Sequence, residues 1–177
     1  VADMYLICVP TSLTPEGRPI LDSVKAAADA IGRVMPEGTL VVLESTVPPG
    51  STAGRVKDVL EETSGFQAGS GFSLAHCPER VLPGNVMREI VNNDRIIGGV
   101  DATATSKVAE IYATFVEGEL VQTDSASAEV VKLAENIYRD VNIALANDLA
   151  VICEEVGVDV WEAIQLANLH PRVNIHQ

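Results

Sequence analysis

The sequence predicts an α/β fold, with a partial, doubly wound parallel sheet followed by an all-α segment built on one long helix. Two observations support this prediction. Short β-branched runs that are apolar on both faces alternate with helical periodicity as far as residue 124, and this alternation is typical of a parallel sheet that helices cover on both sides. From residue 125 the strand-like runs stop and a helical pattern takes over. We therefore expect a sheet domain at residues 1–124 and a helical domain at residues 125–177.

The sheet domain is predicted to begin with a buried strand, an amphipathic helix and a second buried strand. Residues 4–9 form one apolar run and predict the first strand. Apolar side chains between residues 24 and 35 recur at the i, i+3, i+4, i+7 spacing of a helix, and Pro36 and Gly38 end that helix. Residues 40–43, with the sequence LVVL, predict the second strand.

A proline-rich turn starts the second helix of the sheet domain. The string PPGS precedes a helical apolar stripe, and Ser51 or Thr52 can cap the exposed amides at the start of this helix. The remaining elements are a third strand at residues 72–77, a long loop, a fourth strand at 95–97 followed by two glycines, a helix at 103–115 and a fifth strand at 120–123.

The helical domain is predicted to contain a long helix at residues 125–156, a break at Gly157 and a second helix at residues 160–168. Apolar side chains cover more than half of the circumference of the long helix. So broad a surface needs more than one neighbour, and we expect the sheet domain on one side and another helix or subunit on the other. These apolar residues are Val130, Val131, Leu133, Ala134, Ile137, Tyr138, Val141, Leu145, Leu149 and Ile152.

The composition excludes several classes of protein. Of the 177 residues, 47% are hydrophobic and 21% are charged, which excludes a disordered chain. No apolar run approaches the roughly 20 residues of a membrane span, and no signal peptide opens the sequence. The formal net charge is -13, so we expect neither nucleic acid nor an anionic membrane as a partner.

The three cysteines indicate a reducing compartment. Cys8, Cys77 and Cys153 are far apart and show no Cys-x-x-Cys or Cys/His spacing, so we expect neither a disulfide framework nor a metal site. Each cysteine lies in an apolar run, which favours a small buried side chain. We therefore expect a cytoplasmic protein without a bound metal.

Polar residues follow three of the predicted strands, at the edge where open α/β sheets bind ligands. Thr11, Thr46 and Glu79 occupy these positions. Thr46 also precedes a helix start, whose free amides favour an anion. Glu79 belongs to the segment 76–84, a rigid loop that joins charged residues to two prolines. The alternatives are structural: a capping loop without a ligand, and a stiff connection with a surface Glu-Arg pair.

A narrow polar stripe lies on the predicted long helix. At about 100° per residue, Lys132, Asn136 and Arg139 fall within about 60° of one another, and Asn147 lies beside them. Cations and amides suit a ligand rich in phosphate or hydroxyl groups. The alternative is the solvated face of an amphipathic helix. The string HPR at residues 170–172 is by itself more typical of a surface turn than of a site.

The chain resembles the UDP-glucose/GDP-mannose dehydrogenase family over essentially its whole length. The resemblance rests on the strings ICVPT, ESTVPPGST, HCPERVLPGN, NDRIIGG, KLAENIYRDVNIALAND and VWEAIQLANLHPRVNI, which occur in the order and spacing of the family. It implies a Rossmann-like domain that binds NAD and a central helix that builds a homodimer. It also implies oxidation of the primary alcohol of a UDP-sugar to a carboxylate in two NAD-linked steps, with a cysteine nucleophile in a Gly-Gly-His-Cys motif.

The resemblance implies roles for individual residues. Thr11 and Thr46 match threonines that contact the cofactor, and Lys132 matches the proposed proton donor or acceptor. The positions that match substrate-binding residues are Arg80 and Val81 in the loop, Lys132, Asn136 and Arg139 on the long helix, and His170 and Arg172 after the last helix.

Several features of the family are not found in this sequence. It contains no G-x-G-x-x-G turn after a first strand, no matching ribose-binding acid and no Gly-Gly-His-Cys. We therefore interpret the chain as a fragment and expect it to be inactive by itself. UDP-glucose dehydrogenases also carry a lysine where this chain has Asn142, whereas their nearby asparagine matches Asn147.

Two other interpretations fit parts of the sequence. A 3-hydroxyacid dehydrogenase also has a long helix with Lys-x-x-x-Asn after a Rossmann domain, but Arg139 and the string PERVLPG argue against it. A non-catalytic dimerisation or regulatory module would keep the broad apolar helix and lack the catalytic parts. Within the family, the sequence leaves open which UDP-sugar epimer is bound.

Overall fold

The computed structural model describes residues 2–81 and 84–176. The chain divides into two compact units, Val1–Lys132 and Leu133–Gln177. In chain order, the strands and α-helices of the described ranges are β1 (Met4–Ile7), β2 (Ser12–Leu13), β3 (Pro19–Ile20), α1 (Asp22–Gly32), β4 (Leu40–Leu43), α2 (Lys57–Ser64), β5 (Ser73–His76), α3 (Val86–Asn92), β6 (Arg95–Gly99), α4 (Ala102–Tyr112), β7 (Leu120–Asp124), α5 (Ser125–Val156) and α6 (Val160–Ala167).

A sheet with the strand order β1-β4-β5-β6-β7 organises the first unit. β1, β4 and β5 run parallel, with Ile7 paired to Leu43 and Leu43 paired to His76. β6 runs antiparallel to β5, and β7 runs parallel to β6. The predicted α/β class is therefore confirmed, and the sheet is mostly parallel rather than parallel throughout.

The reversal at β6 has a local cause in the connection from β5. A parallel neighbour needs a crossover that packs a helix across the sheet. The helix in this connection, α3, has 7 residues, and none of them is buried. It does not cover the sheet, so the chain returns as an antiparallel strand. The sequence predicts only a long loop here and not α3, because none of the side chains of this helix is buried in the core.

Side chains of β4 are buried on both faces of the sheet, as the predicted pattern requires. Val41 and Leu43 pack with α1 and α2, whereas Leu40 and Val42 pack with α4. Burial of each such side chain stabilises the fold by about 1.5–3 kcal/mol. The buried residues of the first cluster are Ile7, Leu21, Val24, Ala28, Ile31, Met35, Val41, Leu43, Val47, Val56, Leu60, Phe72 and Leu74, and those of the second are Leu40, Val42, Ala75, Cys77, Ile97, Val108, Ala109, Tyr112 and Val116.

α1 and α2 approach each other closely at Gly32. A Cβ atom at this position would lie 1.9 Å from the hydroxyl oxygen of Thr63. The Thr63 hydroxyl donates a hydrogen bond to the Val59 carbonyl at 2.7 Å, so it is not free to turn away. A side chain at Gly32 would therefore push the two helices apart and disturb the core beneath them.

The start of the second helix differs from the prediction. Residues Thr52–Val56 form a wider π-type turn before α2. The Ser51 hydroxyl donates to the carbonyl of Pro48 at 2.6 Å, and the Thr52 hydroxyl donates to the carboxylate of Glu129 at 2.6 Å. The expected serine or threonine cap is wrong, because a side chain far away in the sequence accepts the hydrogen bonds at this helix start.

Helix α5 has the bounds that the sequence predicts, and α6 begins at the predicted residue and ends one residue earlier than expected. α5 has the bounds Ser125–Val156, and Gly157 after it has a φ of 73°, a left-handed conformation that favours glycine. The Asp159 carboxylate accepts hydrogen bonds from the amides of Trp161 at 2.8 Å and Glu162 at 3.1 Å. It therefore caps α6 and sets its first residue.

Most large apolar side chains of the second unit are exposed. Among the residues with described positions, its buried hydrophobic side chains are Cys153 and Ile164. Over the same ranges, no helix combines the length and the apolar character that a membrane crossing requires. The exposed large apolar residues of this unit are Ile137, Tyr138, Val141, Ile143, Leu145, Val151, Ile152, Val156, Val158, Trp161, Leu166 and Leu169.

Candidate functional site

A cavity of about 400 Å³ lies at the carboxyl ends of β1, β4 and β5. Thr11, Thr46 and Glu79, which the sequence places at three strand ends, all line it. Its position is the one at which open α/β sheets bind ligands. The lining residues are Cys8, Val9, Pro10, Thr11, Glu44, Ser45, Thr46 and Glu79.

The hydroxyl groups of this cavity differ in their hydrogen bonds. The Ser45 hydroxyl donates to the carbonyl of Val9 at 2.6 Å, which ties the end of β4 to the end of β1. The buried hydroxyl oxygen of Thr11 has no hydrogen-bond partner within the described part of the chain. Because an unpaired buried hydroxyl is costly unless a ligand or water bonds to it, Thr11 is suited to bind a polar ligand group.

A half-buried carboxylate, Glu44, governs the acidity of its neighbours. It accepts hydrogen bonds from the Tyr112 hydroxyl and, at 3.9 Å, from the Cys8 thiol. Burial raises the pKa of Tyr112, and the charge of Glu44 raises it further. The same two causes raise the pKa of Cys77 to about 12 and also raise the pKa of Cys8. Both thiols therefore stay protonated near neutral pH, so neither is an activated nucleophile.

The cysteines are not all buried. Cys77 and Cys153 are buried as expected, whereas Cys8 is exposed. The expectation is wrong for Cys8 because β1 ends at Ile7, and the next residue already lines the open cavity. None of the three forms part of a metal site in the described ranges, where no cluster of His, Cys, Asp and Glu side chains could hold a metal ion.

Lys132 reaches the loop after β5 from the second turn of α5. Its Nζ donates a hydrogen bond to the Glu79 carbonyl oxygen at 2.5 Å, and the Glu79 carboxylate accepts one from the Val81 amide. His76, buried on β5, has its pKa lowered to about 4, mainly by burial, and the positive charge of Lys132 adds to the shift. A protonatable amine, a carboxylate and a neutral imidazole thus lie around the start of this loop.

Glu129 is a residue that the sequence analysis missed. It is fully buried, and its carboxylate accepts hydrogen bonds from the amides of Gly50 at 2.5 Å and Thr52 at 2.8 Å, in addition to the Thr52 hydroxyl. The expectation that these amides are free for an anionic ligand is therefore wrong. A single acid within the apolar string AEVVKLA could have indicated this role, because acids are rarely buried unless they are paired.

Glu129 and Lys132 connect two loops of the cavity. They lie three residues apart on α5 and therefore on one face of the helix. Glu129 holds the segment that follows Thr46, and Lys132 holds the loop at Glu79. The first two turns of α5 consequently set the spacing between these two loops.

The rest of the loop after β5 carries two of the predicted substrate residues. The Arg80 guanidinium donates from Nη1 to the carbonyl oxygen of Asp94 at 2.9 Å, and Val81 is half-buried. Both residues therefore share the loop with Glu79. Leu82 and Pro83, which belong to the predicted segment, lie outside the described residues.

The predicted substrate residues of the second unit form two pairs. Arg139 donates from Nη2 to Asn136 Oδ1 at 3.0 Å, and both line a shallow concavity of about 350 Å³. His170 and Arg172 lie in an exposed turn, where the Arg172 amide donates to His170 Nδ1 at 3.3 Å. Within the described ranges, no hydrogen bond joins one pair to the other.

The position of the cavity in the sheet agrees with the family that the comparisons identify. A doubly wound sheet with a cavity at the carboxyl ends of its strands, lined by an unpaired threonine hydroxyl, is the arrangement typical of Rossmann-type folds, which bind their ligands at this edge. Residues 1–116 match the NAD-binding domain of the UDP-glucose/GDP-mannose dehydrogenase family, and residues 126–177 match the central domain of the same family. The chain belongs to this family, which confirms the resemblance found in its motifs.

Curated relatives match nearly the whole chain. It is 49% identical over 177 residues to a UDP-N-acetyl-D-mannosamine dehydrogenase of Methanocaldococcus jannaschii, a match that covers 98% of this chain and 40% of the relative. It is 50% identical over 182 residues to an NDP-N-acetyl-D-galactosaminuronic acid dehydrogenase of Ralstonia solanacearum, which covers 99% and 43%. The chain thus spans about 40% of the length of such relatives.

Solved structures agree with this assignment. The UDP-D-ManNAc dehydrogenase of Pyrococcus horikoshii has a TM-score of 0.95 at 45% identity, and the match covers 99% of this chain and 42% of that one. The GDP-mannose dehydrogenase of Pseudomonas aeruginosa has a TM-score of 0.89 at 26% identity, with 99% and 41% covered. The fold is therefore shared well beyond the relatives with similar sequences.

Proposed function

We propose that this chain is part of an NAD-dependent nucleotide-sugar 6-dehydrogenase that oxidises UDP-N-acetyl-D-mannosamine to UDP-N-acetyl-D-mannosaminuronate in two NAD-linked steps. The observation that carries the proposal is the hydrogen bond of Lys132 to the Glu79 loop at the edge of the cavity. Relatives at 49% identity that are named UDP-N-acetyl-D-mannosamine dehydrogenases support this substrate. Its product is a precursor of surface polysaccharide.

Lys132 is suited to hold the oxygen atom that reacts. Oxidation of an alcohol removes a hydride from carbon, which bound NAD accepts, and a proton from oxygen. A lysine ammonium has three donors. One of them bonds to the Glu79 carbonyl, and the others can stabilise negative charge on the substrate oxygen. Glu79 is one of the residues that line the cavity, and its carboxylate can take up the proton directly or through a water molecule.

The cavity fits the nicotinamide half of NAD. Thr11 and Thr46 offer hydroxyl groups that suit a ribose and a carboxamide, and the unpaired hydroxyl of Thr11 supports this assignment. Glu44 and Glu79 add two carboxylates to the lining. Carboxylates attract the positively charged nicotinamide ring and repel the pyrophosphate. We therefore assign Thr11 and Thr46 to the nicotinamide-ribose half of the cofactor.

Cations of the loops and of α5 suit the UDP group. The chain has 12 Lys and Arg and a net charge of -13, so most of its surface repels a nucleotide. Where cations occur next to amides, they favour binding of a pyrophosphate. We assign substrate binding to Arg80, Val81, Lys132, Asn136, Arg139, His170 and Arg172.

We further propose a cytoplasmic homodimer that forms through α5, with domains at residues 1–124 and 125–177. The exposed apolar side chains of α5, such as Ile137 and Val141, support self-association, because large exposed apolar surfaces mark interaction sites. The net charge of -13 supports the absence of nucleic acid and membrane partners.

A second substrate has a specific observation in its favour. The relative from Ralstonia solanacearum, named an NDP-N-acetyl-D-galactosaminuronic acid dehydrogenase, is 50% identical to this chain. This relative is thus as similar to the chain as the UDP-N-acetyl-D-mannosamine dehydrogenases are. The two groups of relatives are named for sugars that differ in stereochemistry, so a panel of nucleotide sugars is needed to separate them.

The full-length protein provides the direct test of the substrate. NADH formation is measured with UDP-N-acetyl-D-mannosamine, UDP-N-acetylglucosamine, UDP-N-acetylgalactosamine and UDP-glucose. We expect the highest kcat/KM with the first sugar, and two NADH for each sugar oxidised. A higher kcat/KM with another sugar would replace the proposed substrate. No NADH with any of the four would refute the proposed oxidation of a UDP-sugar.

The role of Lys132 is tested by Lys132→Ala in the same protein. We expect kcat to fall about 10²–10⁴-fold, as for loss of a group that transfers or holds a proton, while the Kd for NAD stays nearly unchanged. Lys107→Ala is the matched control. Lys107 lies on α4, where its Nζ donates to the Ser73 hydroxyl at 3.0 Å, and it does not line the cavity. An equal loss of NAD binding and turnover would contradict the assigned role.

A further inference from the structure

Two asparagine side chains hold a segment that follows the last helix. Asn142 on α5 donates from Nδ2 to the carbonyl oxygen of Asn174 at 2.9 Å and accepts from the amide of His176 at 2.6 Å. Asn168, which follows α6, donates to the carbonyl oxygen of Ile175 at 2.9 Å and accepts from the Ile175 amide at 2.8 Å. We call Asn142 and Asn168 the asparagine clamp.

The asparagine clamp acts on two opposite edges of the segment. In an extended chain, the polar groups of successive residues point to alternate sides. Ile175 bonds with both of its backbone groups to Asn168, whereas its neighbours bond to Asn142. Because an asparagine amide carries donors and an acceptor side by side, each side chain takes the place of a neighbouring strand. The backbone from the carbonyl of residue 174 to the amide of residue 176 is thereby fully bonded.

A tyrosine of α5 adds a further contact to the same segment. The ring of Tyr138 meets the ring of His176 edge-on, with centroids 5.7 Å apart and planes at 73°. The side-chain nitrogen of Asn174 lies 3.4 Å from the Tyr138 hydroxyl oxygen. Tyr138 and Asn142 are four residues apart and therefore neighbours on the helix surface. α5 thus contacts the segment at two successive turns.

The clamp closes a loop that contains two predicted substrate residues. His170 and Arg172 lie between Asn168 and Ile175, whose hydrogen bonds join the two ends of the loop. Inside it, the Val173 amide donates to the His170 carbonyl at 2.9 Å. The Nδ1 atom of His170 accepts from the Arg172 amide, which leaves Nε2 to donate a hydrogen bond to a ligand.

We propose that Asn142 and Asn168 are positioning residues for substrate binding, which fix the loop so that His170 and Arg172 meet the nucleotide sugar in one orientation. This inference rests on the proposed function, since it takes a UDP-sugar as the ligand of the loop. A loop that is already ordered loses less conformational entropy on binding than a free one. The clamp therefore contributes to affinity for the sugar nucleotide and not to affinity for NAD.

The first test measures the order of the loop in the full-length protein without substrate. In Asn142→Ala and in Asn168→Ala, we expect the amides of the segment 174–176 to exchange about tenfold faster with deuterium, since each variant loses two hydrogen bonds. Asn92→Ala is the matched control, because Asn92 bonds by its side chain to the Arg88 carbonyl within α3 at 2.7 Å. Unchanged exchange in both clamp variants would overturn the proposal whatever the activity of the protein.

The second test separates substrate binding from cofactor binding. In either clamp variant we expect the KM for the UDP-sugar to rise about tenfold, with the KM for NAD and the Tm of the wild type retained. In the double variant, the fold-increase of the KM for the UDP-sugar should be smaller than the product of the two single fold-increases, because both asparagines act on one segment. A parallel rise of both KM values, or no rise in either, would overturn the positioning role. Turnover of a UDP-sugar by the wild type tests the proposed function separately.

Discussion

The two units of the chain differ in how far they bury their own apolar side chains. In the first unit, β4 is buried on both faces between two clusters of side chains. In the described part of the second unit, Cys153 and Ile164 are the buried hydrophobic residues, while Trp161 is 57% exposed and Leu169 is 78% exposed. The first unit is therefore stabilised by its own contacts, whereas the helices of the second unit need a covering partner for comparable stabilisation.

The hydrogen bonds of polar side chains follow the same division. The first unit buries a carboxylate, Glu129, and surrounds it with donors. The second unit uses the half-buried amides of Asn142 and Asn168 to hold a loop. Substitutions of buried residues in the first unit are thus expected to lower stability, and substitutions in the second unit to change binding and assembly. Four pairs of variants, in order of decreasing expected effect on stability, test this difference between the two units.

Two glutamates of α5 provide the largest contrast. Glu129→Ala leaves the amides of Gly50 and Thr52 without their acceptor and should cost about 3–5 kcal/mol of stability in the first unit. Glu154→Ala changes an exposed residue of the second unit and should cost at most about 0.5 kcal/mol. Native-state hydrogen exchange of the β4 amides measures the stability cost of each substitution. Equal costs would mean that the buried carboxylate contributes no more than a surface one.

Substitution of one leucine in each unit compares how tightly the two units are packed. Leu43→Ala empties a fully buried position of β4 and should cost about 2–5 kcal/mol. Leu145→Ala on α5 removes a side chain that is 45% exposed, and the cost in the isolated monomer should stay below about 1 kcal/mol. Urea titration at low protein concentration provides the two values. A large cost at Leu145 would show that the second unit is packed more tightly than its exposure indicates.

His76 makes the stability of the first unit depend on pH. Its pKa in the folded protein is about 4 instead of 6.5, mainly because of burial. Below pH 6.5 the unfolded chain binds a proton that the folded one does not, so stability falls as the pH decreases from about 6.5 to about 4, by at most about 3 kcal/mol. His76→Leu should remove this slope, and Leu74→Val on the same strand should keep it. The free energy of unfolding at pH 7 and at pH 4.5 is measured for each protein. If His76→Leu loses as much stability between these pH values as the wild type, His76 is not the cause of the pH dependence.

A charge on the exposed face of α5 should have the smallest effect on folding and a clear effect on assembly. The side chain of Ile137 is 61% exposed. Ile137→Glu should therefore change the stability of the monomer by less than about 0.5 kcal/mol. It should shift a dimer towards monomers, because it puts a charge into an apolar interface. Sedimentation equilibrium of the full-length protein measures the shift, with Glu154→Gln as a control on the same helix. An unchanged dimer would place the interface elsewhere.

The sequence predicts some elements nearly residue for residue. β4 and α5 have the bounds expected from the sequence, because a run that is apolar on both faces and a long helical repeat are properties of neighbouring residues. The reversal of β6, the helix α3 and the π-type turn at Thr52–Val56 were not predicted. Each of them depends on what the segment meets in the folded chain.

The candidate site shows the same limit. The sequence brings Thr11, Thr46 and Glu79 to one edge of the sheet, because residues after parallel strands share that edge. The side chains that hydrogen-bond to these loops could not be predicted from the sequence in the same way. Lys132 bonds to a carbonyl 53 residues away, and a carbonyl carries no signal in the side-chain pattern. The roles of the substrate residues stay predictions until variants are measured.

Periodicity and motif spacing reflect local structure, so they were enough to predict the α/β class, the long helix, the family and the edge of the sheet at which the cavity lies. The folded chain was needed to reveal that Glu129 bonds to the helix start 79 residues before it and that Asn142 bonds to a backbone segment more than 30 residues after it. The physical reason is that a hydrogen bond needs both partners within about 3 Å in the right direction. That condition depends on how distant segments pack and is not visible in either segment separately.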